Sequence, residues 1–256
     1  MEYNKYVDLE KVEDEIFKKT MTDAPEIGWF KEFYEDFQKI INIIPFERRK
    51  NESPENPAIY YLNITSTLKI IYTSISILHL SSKGYYGQSM NLLRAIQEEY
   101  QHMLFFNYHP PNEIKQWNEG KIKSSKIISK ISSSKHIPKK WKGKAKYRNQ
   151  LYDALSHFEH PSREGWSSVV KVDKETGSNI LKFLPMYESN SFNTVFTGVM
   201  SFIENTLFLL LEIYEDETKA ARLHDAIKQR LNHFEVEYLI PTLNNMKIDS
   251  GIKIIG

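Results

Sequence analysis

The sequence predicts a mainly α protein, organised as a single helical bundle with a small β-hairpin insertion. Hydrophobic residues make up 41% of the 256 residues, which is enough for one sizeable core. The chain has only 10 Gly and 10 Pro, too few for a turn-rich β-sandwich. Apolar residues recur at intervals of three and four over several long windows, which is the period of an amphipathic helix. We therefore expect one domain over residues 1–256.

Residues 1–50 are predicted to form N-terminal helices over 5–20 and 29–44. Pro45 has no backbone N–H to donate, so we expect the second helix to end there. The N-terminus begins with acidic and mixed residues and lacks the basic and apolar order of a secretion signal, so we expect a cytoplasmic protein.

The bundle core is predicted over 58–215. It opens with two long helices, 58–82 and 85–108, which are separated by Gly84. A glycine at this point is typical of a helix end, so the two helices are expected to form an antiparallel hairpin.

The middle of the chain is predicted less regularly. Residues 112–130 have helical spacing, but serine in 124–134 competes for backbone hydrogen bonds and disfavours a helix there. A further amphipathic helix is predicted over 144–160. Two short apolar runs within 166–186 flank a polar turn, which predicts the β-hairpin.

The last part of the core, 190–215, is predicted to be a helix, and it contains the most apolar window of the chain, 192–214. Glu204 and Asn205 lie at its centre, and an acid inside a membrane would cost roughly several kcal/mol. We therefore predict a buried helix and no membrane partner. Residues 216–256 are expected to form a closing helix and a tail.

The absence of cysteine excludes a set of chemistries. With Cys at zero, the chain cannot form disulfides, Cys-ligated zinc sites or iron–sulfur clusters, and it cannot use a thiol nucleophile. No cofactor is predicted from the remaining motifs.

The helix predicted over 85–108 carries polar residues that need an explanation. Arg94 and Glu98 are four residues apart and project onto a polar sector together with Gln101 and His102. Glu99 instead falls inside the apolar arc. Arg94 and Glu98 can be interpreted either as a solvated charge pair or as part of a functional site. Glu99 can be interpreted as a structural acid that bonds to a neighbouring helix.

A second polar stripe lies on the helix predicted over 144–160. Ser156 and His160 are four residues apart near its end, close to His157. Exposed residues at a helix C-terminus, where histidine suits the dipole, explain this stripe equally well.

The run from Gly84 to Glu98, together with Leu155 to Pro161, resembles a group of uncharacterised bacterial helical proteins. These carry Arg-x-x-x-Glu on one helix and Ser-x-x-x-His at the end of another, and they are distantly similar to the HEPN superfamily of helical ribonucleases and nucleotide-binding modules. The resemblance covers about 58–215.

This resemblance implies a catalytic site made of Arg94, Glu98, Ser156 and His160. It further implies a metal-independent ribonuclease, of the kind used as a toxin-like effector in bacterial defence. An imidazole can move the proton of a ribose 2′-hydroxyl while a guanidinium holds the phosphate. In active HEPN ribonucleases the Arg and the His share one helix, whereas Arg94 and His160 belong to different predicted helices.

A basic segment supports an RNA or nucleotide partner independently. Residues 121–148 contain 11 basic and no acidic residues, although the net charge of the chain is only +1. A solvated lysine-rich linker is the alternative interpretation. The residues predicted to bind nucleic acid are Lys135, Lys139, Lys140, Trp141, Lys142, Lys144, Lys146 and Arg148.

Two other functions remain open. One is a non-catalytic protein-interaction module in which the polar residues form an internal network. The other is a dimetal bundle, since Glu-x-x-His places two ligands near one side of a helix. The large number of aromatic residues also predicts a homodimer. The alternative metal ligands are Glu99, His102, His157, His160 and Glu204.

Overall fold

The structure is a computed structural model, and the following description covers the residues that it places. These residues are 8–24, 27–51, 57–109, 111–141, 170–172, 179–181, 185–215, 222–234 and 236–237. The helices of eight residues or more among them are α1 (Leu9–Asp23), α2 (Ile27–Asn51), α3 (Pro57–Ser82), α4 (Tyr86–Tyr108), α5 (Pro111–Asn118), α6 (Ser124–Ser133), α7 (Ser189–Ile213) and α8 (Leu223–Phe234).

The predicted mainly helical fold is confirmed, and the long helices α3, α4 and α7 match their predicted bounds to within two residues. Two strands of three residues, β1 (Val170–Val172) and β2 (Asn179–Leu181), pair antiparallel with Val170 opposite Leu181. The residues that join and flank these strands lie outside the described part, so the β-hairpin insertion stays a prediction. The helix predicted over 144–160 and the tail after 237 also lie outside it.

Helix α4 is the centre of the bundle, and its first side packs against α3. The two helices run antiparallel, since Ser89 near the start of α4 donates to Ile77 O and Asn107 near its end bonds Asn63 of early α3. Gly84 sits between them with a φ of +88°, a conformation that suits glycine. The predicted antiparallel helix hairpin is therefore confirmed.

The second side of α4 packs against α7, which runs in the same direction. The centroids of the Tyr100 and Phe202 rings are 6.2 Å apart. Near the C-terminal ends of both helices, Tyr108 OH donates to the Glu212 carboxylate at 2.6 Å. A Cβ at Gly198 would lie only 2.6 Å from Leu93 Cδ2. The two backbones approach closely here because residue 198 has no side chain.

The third side of α4 is covered near its end by α5 and α6. Trp117 of α5 lies 5.2 Å from the His102 ring and 5.1 Å from the Phe106 ring. Ile127 and Ile131 of α6 are buried in the same core. The helical spacing predicted over 112–130 is confirmed in α5 and α6. The apolar pair of α6, four residues apart, packs into the core and outweighs the weak local preference of serine.

Helices α2 and α8 are joined at the outside of the bundle by one buried ion pair. Asp36 of α2 is fully buried and accepts from both Nε and Nη2 of Arg230 on α8, with the Nε bond at 2.8 Å. Phe33 and Phe234 pack edge to face beside it at 5.1 Å. The charge of Asp36 is thus compensated inside an aromatic contact.

Two predictions about single segments have different outcomes. Helix α2 continues through Pro45 to Asn51, so the predicted end at this proline was wrong. Proline removes one backbone hydrogen bond, and the helix tolerates this loss.

The predicted burial of the apolar window is confirmed, because α7 has the length and composition of a membrane span but 78% of its apolar window is buried among other helices. Interior helices of globular proteins pass the same test of length and composition.

We predict that Arg230→Met lowers the free energy of unfolding by about 3 kcal/mol, because among the described residues it leaves the buried Asp36 carboxylate with Lys39, at 3.4 Å, as its cationic partner. The double variant Asp36→Leu, Arg230→Met should recover most of this loss, since it removes both charges. Urea denaturation of the three proteins measures both values. A double variant that is less stable than the single one would contradict this account.

Candidate functional site

Arg94 and Glu98 lie on the third side of α4, and His102 follows one turn later on the same side. The Nε atom of Arg94 is 3.3 Å from Oε1 of Glu98, and the two side chains are 17% and 31% exposed. Both make a further interaction beyond this pair. The solvated charge pair is therefore the less suitable description, because this pair is half-buried beside the core.

The polar residues around this pair are more deeply buried than the helical projection predicted. Gln97 is 0% exposed, Gln101 2% and His102 7%. Gln101 and His102 were expected on a solvent-facing sector, and that expectation was wrong. The reason is that α5 and α6 cover the third side of α4, so this helix has no fully solvated side along its second half.

Burial determines the charge state of two histidines on α4 and just after it. Desolvation lowers the pKa of His102 below its ordinary value, although Glu99 and Glu98 oppose this shift. Desolvation also lowers the pKa of His109, which stacks on the Phe105 ring at 3.8 Å. His109 Nδ1 donates to Phe105 O at 2.8 Å, and Nε2 therefore accepts from Ser134 Oγ at 2.9 Å. Both rings are neutral structural elements near pH 7.

Glu99 points away from the Arg94 side of α4 and bonds to α3. Its carboxylate accepts from Ser66 Oγ at 2.8 Å and from Lys69 Nζ at 2.9 Å. This confirms the interpretation of Glu99 as a structural acid bonded to a neighbouring helix. It also separates Glu99 from the pair formed by Arg94 and Glu98.

The predicted buried acid of α7 is confirmed. Glu204 is 3% exposed and Asn205, the next residue, is 6% exposed. The Asn205 side chain donates to Ser201 O at 2.6 Å, and both residues make further interactions. Helices α4 and α7 therefore each contribute buried polar side chains to a bundle that is otherwise apolar.

A second polar cluster is centred on Glu212 near the end of α7. Its carboxylate accepts from Tyr108 OH at 2.6 Å, from Trp141 Nε1 at 3.2 Å and from Lys140 Nζ at 2.5 Å. Burial, together with the hydrogen bond to Glu212, raises the pKa of Tyr108 far above its ordinary value. The tyrosine stays protonated and donates to the carboxylate, so the cluster holds Trp141 against the bundle.

This cluster forms one wall of a cleft of about 360 Å³. Its apolar part comes from Phe208 and Leu211, and its cations include Lys140 and Lys228. The volume lies at the lower end of the range for small-molecule sites. The complete lining is Lys140, Trp141, Phe208, Leu211, Glu212, Glu215, His224 and Lys228.

The sequence from early α3 to early α7 matches the model of a known protein family. A family model described as a family of unknown function, DUF5677, matches residues 61–195. The chain belongs to the DUF5677 family. No curated protein and no solved structure shows a significant match to it.

The DUF5677 match contains both predicted motifs, but the structure describes only one of them. Arg94 and Glu98 are placed as above, whereas Ser156 and His160 lie outside the described residues. The same is true of Lys142, Lys144, Lys146 and Arg148. Convergence of the four predicted catalytic residues therefore stays a prediction.

The described part of the basic segment, residues 121–141, is attached to the DUF5677 bundle and is not a solvated linker. Ile122, Ile127, Ile131, Ile137 and Trp141 are buried. Trp141 was predicted to contact nucleic acid by stacking, and its burial to 4% exposed makes that role wrong. The same segment exposes Lys135, Lys139 and Lys140 on its outer side.

The structure does not support Glu99 and His102 as a ligand pair of the predicted dimetal site. Glu99 bonds to α3 while His102 packs against Trp117, so the two do not share a ligand site. Among the residues that the structure describes, no group of three His, Asp or Glu is arranged to hold a metal ion. Of the other predicted ligands, Glu204 is buried on α7, whereas His157 and His160 lie outside those residues.

Sequence patterns did not indicate the cluster around Glu212. Tyr108 and Glu212 are 104 residues apart, and Trp141 is 71 residues from Glu212. No local spacing connects such residues. The one usable signal was the acid at the end of an apolar helix, since such an acid needs a partner.

We predict that stability falls on acidification from about pH 7 to pH 5, partly because of His102 and His109. Their folded pKa values lie below the ordinary value of 6.5, so the unfolded chain takes up protons first as the pH falls. The two histidines contribute nothing to this slope above pH 7. Thermal melting at several pH values should show that the melting temperature of the double variant His102→Gln, His109→Gln falls less on acidification than that of the wild type.

The exposed His79 provides the matched control. The variant His79→Gln should keep the wild-type decline in melting temperature over the same pH range. An equally steep decline in the double variant would refute the assignment to the two buried rings.

Proposed function

We propose that this protein binds RNA through the outer side of the segment from Lys121 to Lys140, which we call the lysine surface. The observation that supports this most directly is a set of exposed lysines without an acidic partner among the described residues. They project from a segment whose inner side is anchored in the core, so the charges are held at a defined surface. These lysines are Lys123, Lys126, Lys135 and Lys139.

The acids near the lysine surface neutralise only part of it. Glu119 pairs with Lys121 at 2.6 Å, and Glu113 lies 3.6 Å from Lys130. Glu212 pairs with Lys140. Three lysines are thus compensated and four remain available. A row of uncompensated cations attracts a phosphate backbone and releases its counterions on binding.

The geometry of α6 supports contact with a polyanion. Lys126 and Lys130 are four residues apart, about 100° around α6 from the buried Ile127 and Ile131, so a cationic strip runs beside the buried one. The cleft beside Lys140 adjoins this surface. Its volume suits a nucleotide-sized ligand, and Lys228 adds a cation to its wall.

The ribonuclease activity implied by the HEPN-like resemblance is the second part of the proposal. Arg94 would hold a phosphate and His160 would move the 2′-hydroxyl proton, with Glu98 orienting the guanidinium. The half-buried position of the Arg94–Glu98 pair supports this, because a partly desolvated arginine interacts more strongly with an anion than a solvated one. A role as a toxin-like effector belongs to the same proposal.

We expect the triple variant Lys123→Gln, Lys126→Gln, Lys135→Gln to bind RNA more weakly than the wild type and with a smaller salt dependence. Each phosphate contact contributes about 0.7 to the slope of log K against log salt for a single strand, so the slope should fall by about 2. Fluorescence anisotropy with single-stranded RNA at several salt concentrations measures both quantities.

The charge-matched control is Lys11→Gln, Lys18→Gln, Lys31→Gln, since these exposed lysines lie on α1 and α2. The control should bind RNA with the wild-type affinity and slope. An equal loss of RNA affinity in the two triple variants would mean that only the net charge of the protein matters. The proposal that RNA binds at the lysine surface would then be rejected.

If the chain cleaves RNA, Glu98→Gln, Arg94→Ala and His160→Ala should each lower the cleavage rate by about 100-fold or more. The adjacent Glu99→Gln is the control, because Glu99 bonds to α3 on another side of the helix. Cleavage of labelled RNA is followed on gels in the presence of a chelator. Wild-type rates in the Arg94 and His160 variants would remove the catalytic part of the proposal and leave RNA binding untouched.

A further inference from the structure

The cleft between α7 and α8 has an apolar floor. Its volume is about 360 Å³, and Phe208 and Leu211 of α7 line it. Trp141 lines it as well. Because the indole N–H of Trp141 already donates to Glu212, this side chain offers the cleft mainly the apolar surface of its rings. Such a floor suits a flat apolar group better than it suits a phosphate.

The first wall of the cleft is formed by Lys140 and Trp141, and its charges are balanced. Glu212 accepts from Lys140 Nζ, from Trp141 Nε1 and from Tyr108 OH. Three donors satisfy this carboxylate, and the ammonium group of Lys140 compensates its charge. Glu215, the second acid of the lining, is exposed, so water and salt screen its charge. The acids of the lining therefore repel a bound anion only weakly.

An uncompensated cation is associated with each wall. Lys139 directly precedes the first wall, and Lys228 belongs to the second wall, which α8 provides. Both side chains are exposed, and neither ammonium group forms an ion pair with any of the described residues. The cleft thus has an apolar floor with a cation at either wall. A nucleotide chain has the complementary order, in which a flat base lies between two phosphates.

We propose that this cleft holds one unstacked base of an RNA strand, with Phe208 as the ring on which the base stacks. The phosphates on the two sides of this base pair with Lys139 and Lys228. The inference rests on the proposed binding of RNA at the lysine surface, and it adds the feature that the protein recognises, an unpaired base. A base inside a double helix stays in its stack and does not reach the cleft.

The floor and the cations of the cleft contribute to binding in different ways. Stacking of a base on an aromatic ring tolerates every base, because each base has a flat π-face. A phosphate contact releases counterions, so its contribution falls as the salt concentration rises. Phe208 is therefore expected to determine the preference for unpaired RNA, and Lys228 is expected to affect the salt dependence.

The first test compares a single-stranded RNA with a duplex of the same sequence and length, by fluorescence anisotropy on the full chain. Phe208→Leu keeps an apolar side chain and removes the ring. It should bind the single strand about five-fold or more weakly than the wild type, and it should keep the wild-type affinity for the duplex. Phe208→Tyr retains the ring and should bind both RNAs as the wild type does.

The matched control for the loss of a ring is Phe17→Leu, because Phe17 is an exposed phenylalanine on α1. This variant should bind both RNAs with the wild-type affinity. Thermal melts of all the variants without RNA check that each one is folded.

The second test measures the affinity for the single strand at several salt concentrations. Lys228→Gln removes one phosphate contact, so it should lower the slope of log K against log salt by about 0.7. The control is Lys31→Gln, since Lys31 is an exposed lysine on α2. It should keep the wild-type slope.

Wild-type affinity of Phe208→Leu for the single strand would overturn the base site, and so would an equal loss for the single strand and the duplex. A wild-type slope in Lys228→Gln would overturn the proposed course of the strand across the cleft. If the triple variant of the lysine surface loses affinity while Phe208→Leu does not, RNA binding stands and the base site is rejected. If the wild type binds neither RNA, the proposed function itself fails.

Discussion

The enclosure of α4 on three sides is the constraint on which the rest of this structure depends. Helix α3 covers one side and α7 a second, while α5 and α6 cover the end of the third. Eleven of its 23 residues are buried, and four of these are Ser, Gln or His. A buried polar group without a partner costs free energy, and Ser89 avoids this cost by donating to Ile77 O of α3.

This constraint also determines what kind of site α4 can offer. Glu99 and His109 are used for packing, the first against α3 and the second against Ser134. Arg94 and Glu98 lie nearer the middle of α4, and there the side chains are only half-buried. Any chemistry of α4 is therefore expected around this pair, where an arginine and a carboxylate are both accessible and partly desolvated.

The basic segment illustrates how one stretch of chain can serve both packing and binding. Ile127 and Ile131 are buried beside α4, and Trp141 is held by Glu212 and Tyr108 at the end of α7. The lysines between these anchors are directed to solvent. An anchored cation row loses less conformational entropy on meeting a polyanion than a free linker would, which favours a binding surface over a spacer.

The sequence by itself determined the helical class, the bounds of α3, α4 and α7, and the burial of Glu204. These features follow from hydrophobic periodicity, a local property of the chain. The tertiary structure alone decided that Gln101 and His102 are buried and that Pro45 lies inside α2. It also decided the partners of Asp36 and Glu212, which are 194 and 104 residues away from Arg230 and Tyr108. Periodicity identifies which side of a helix is apolar, but only packing shows how many of its sides are covered.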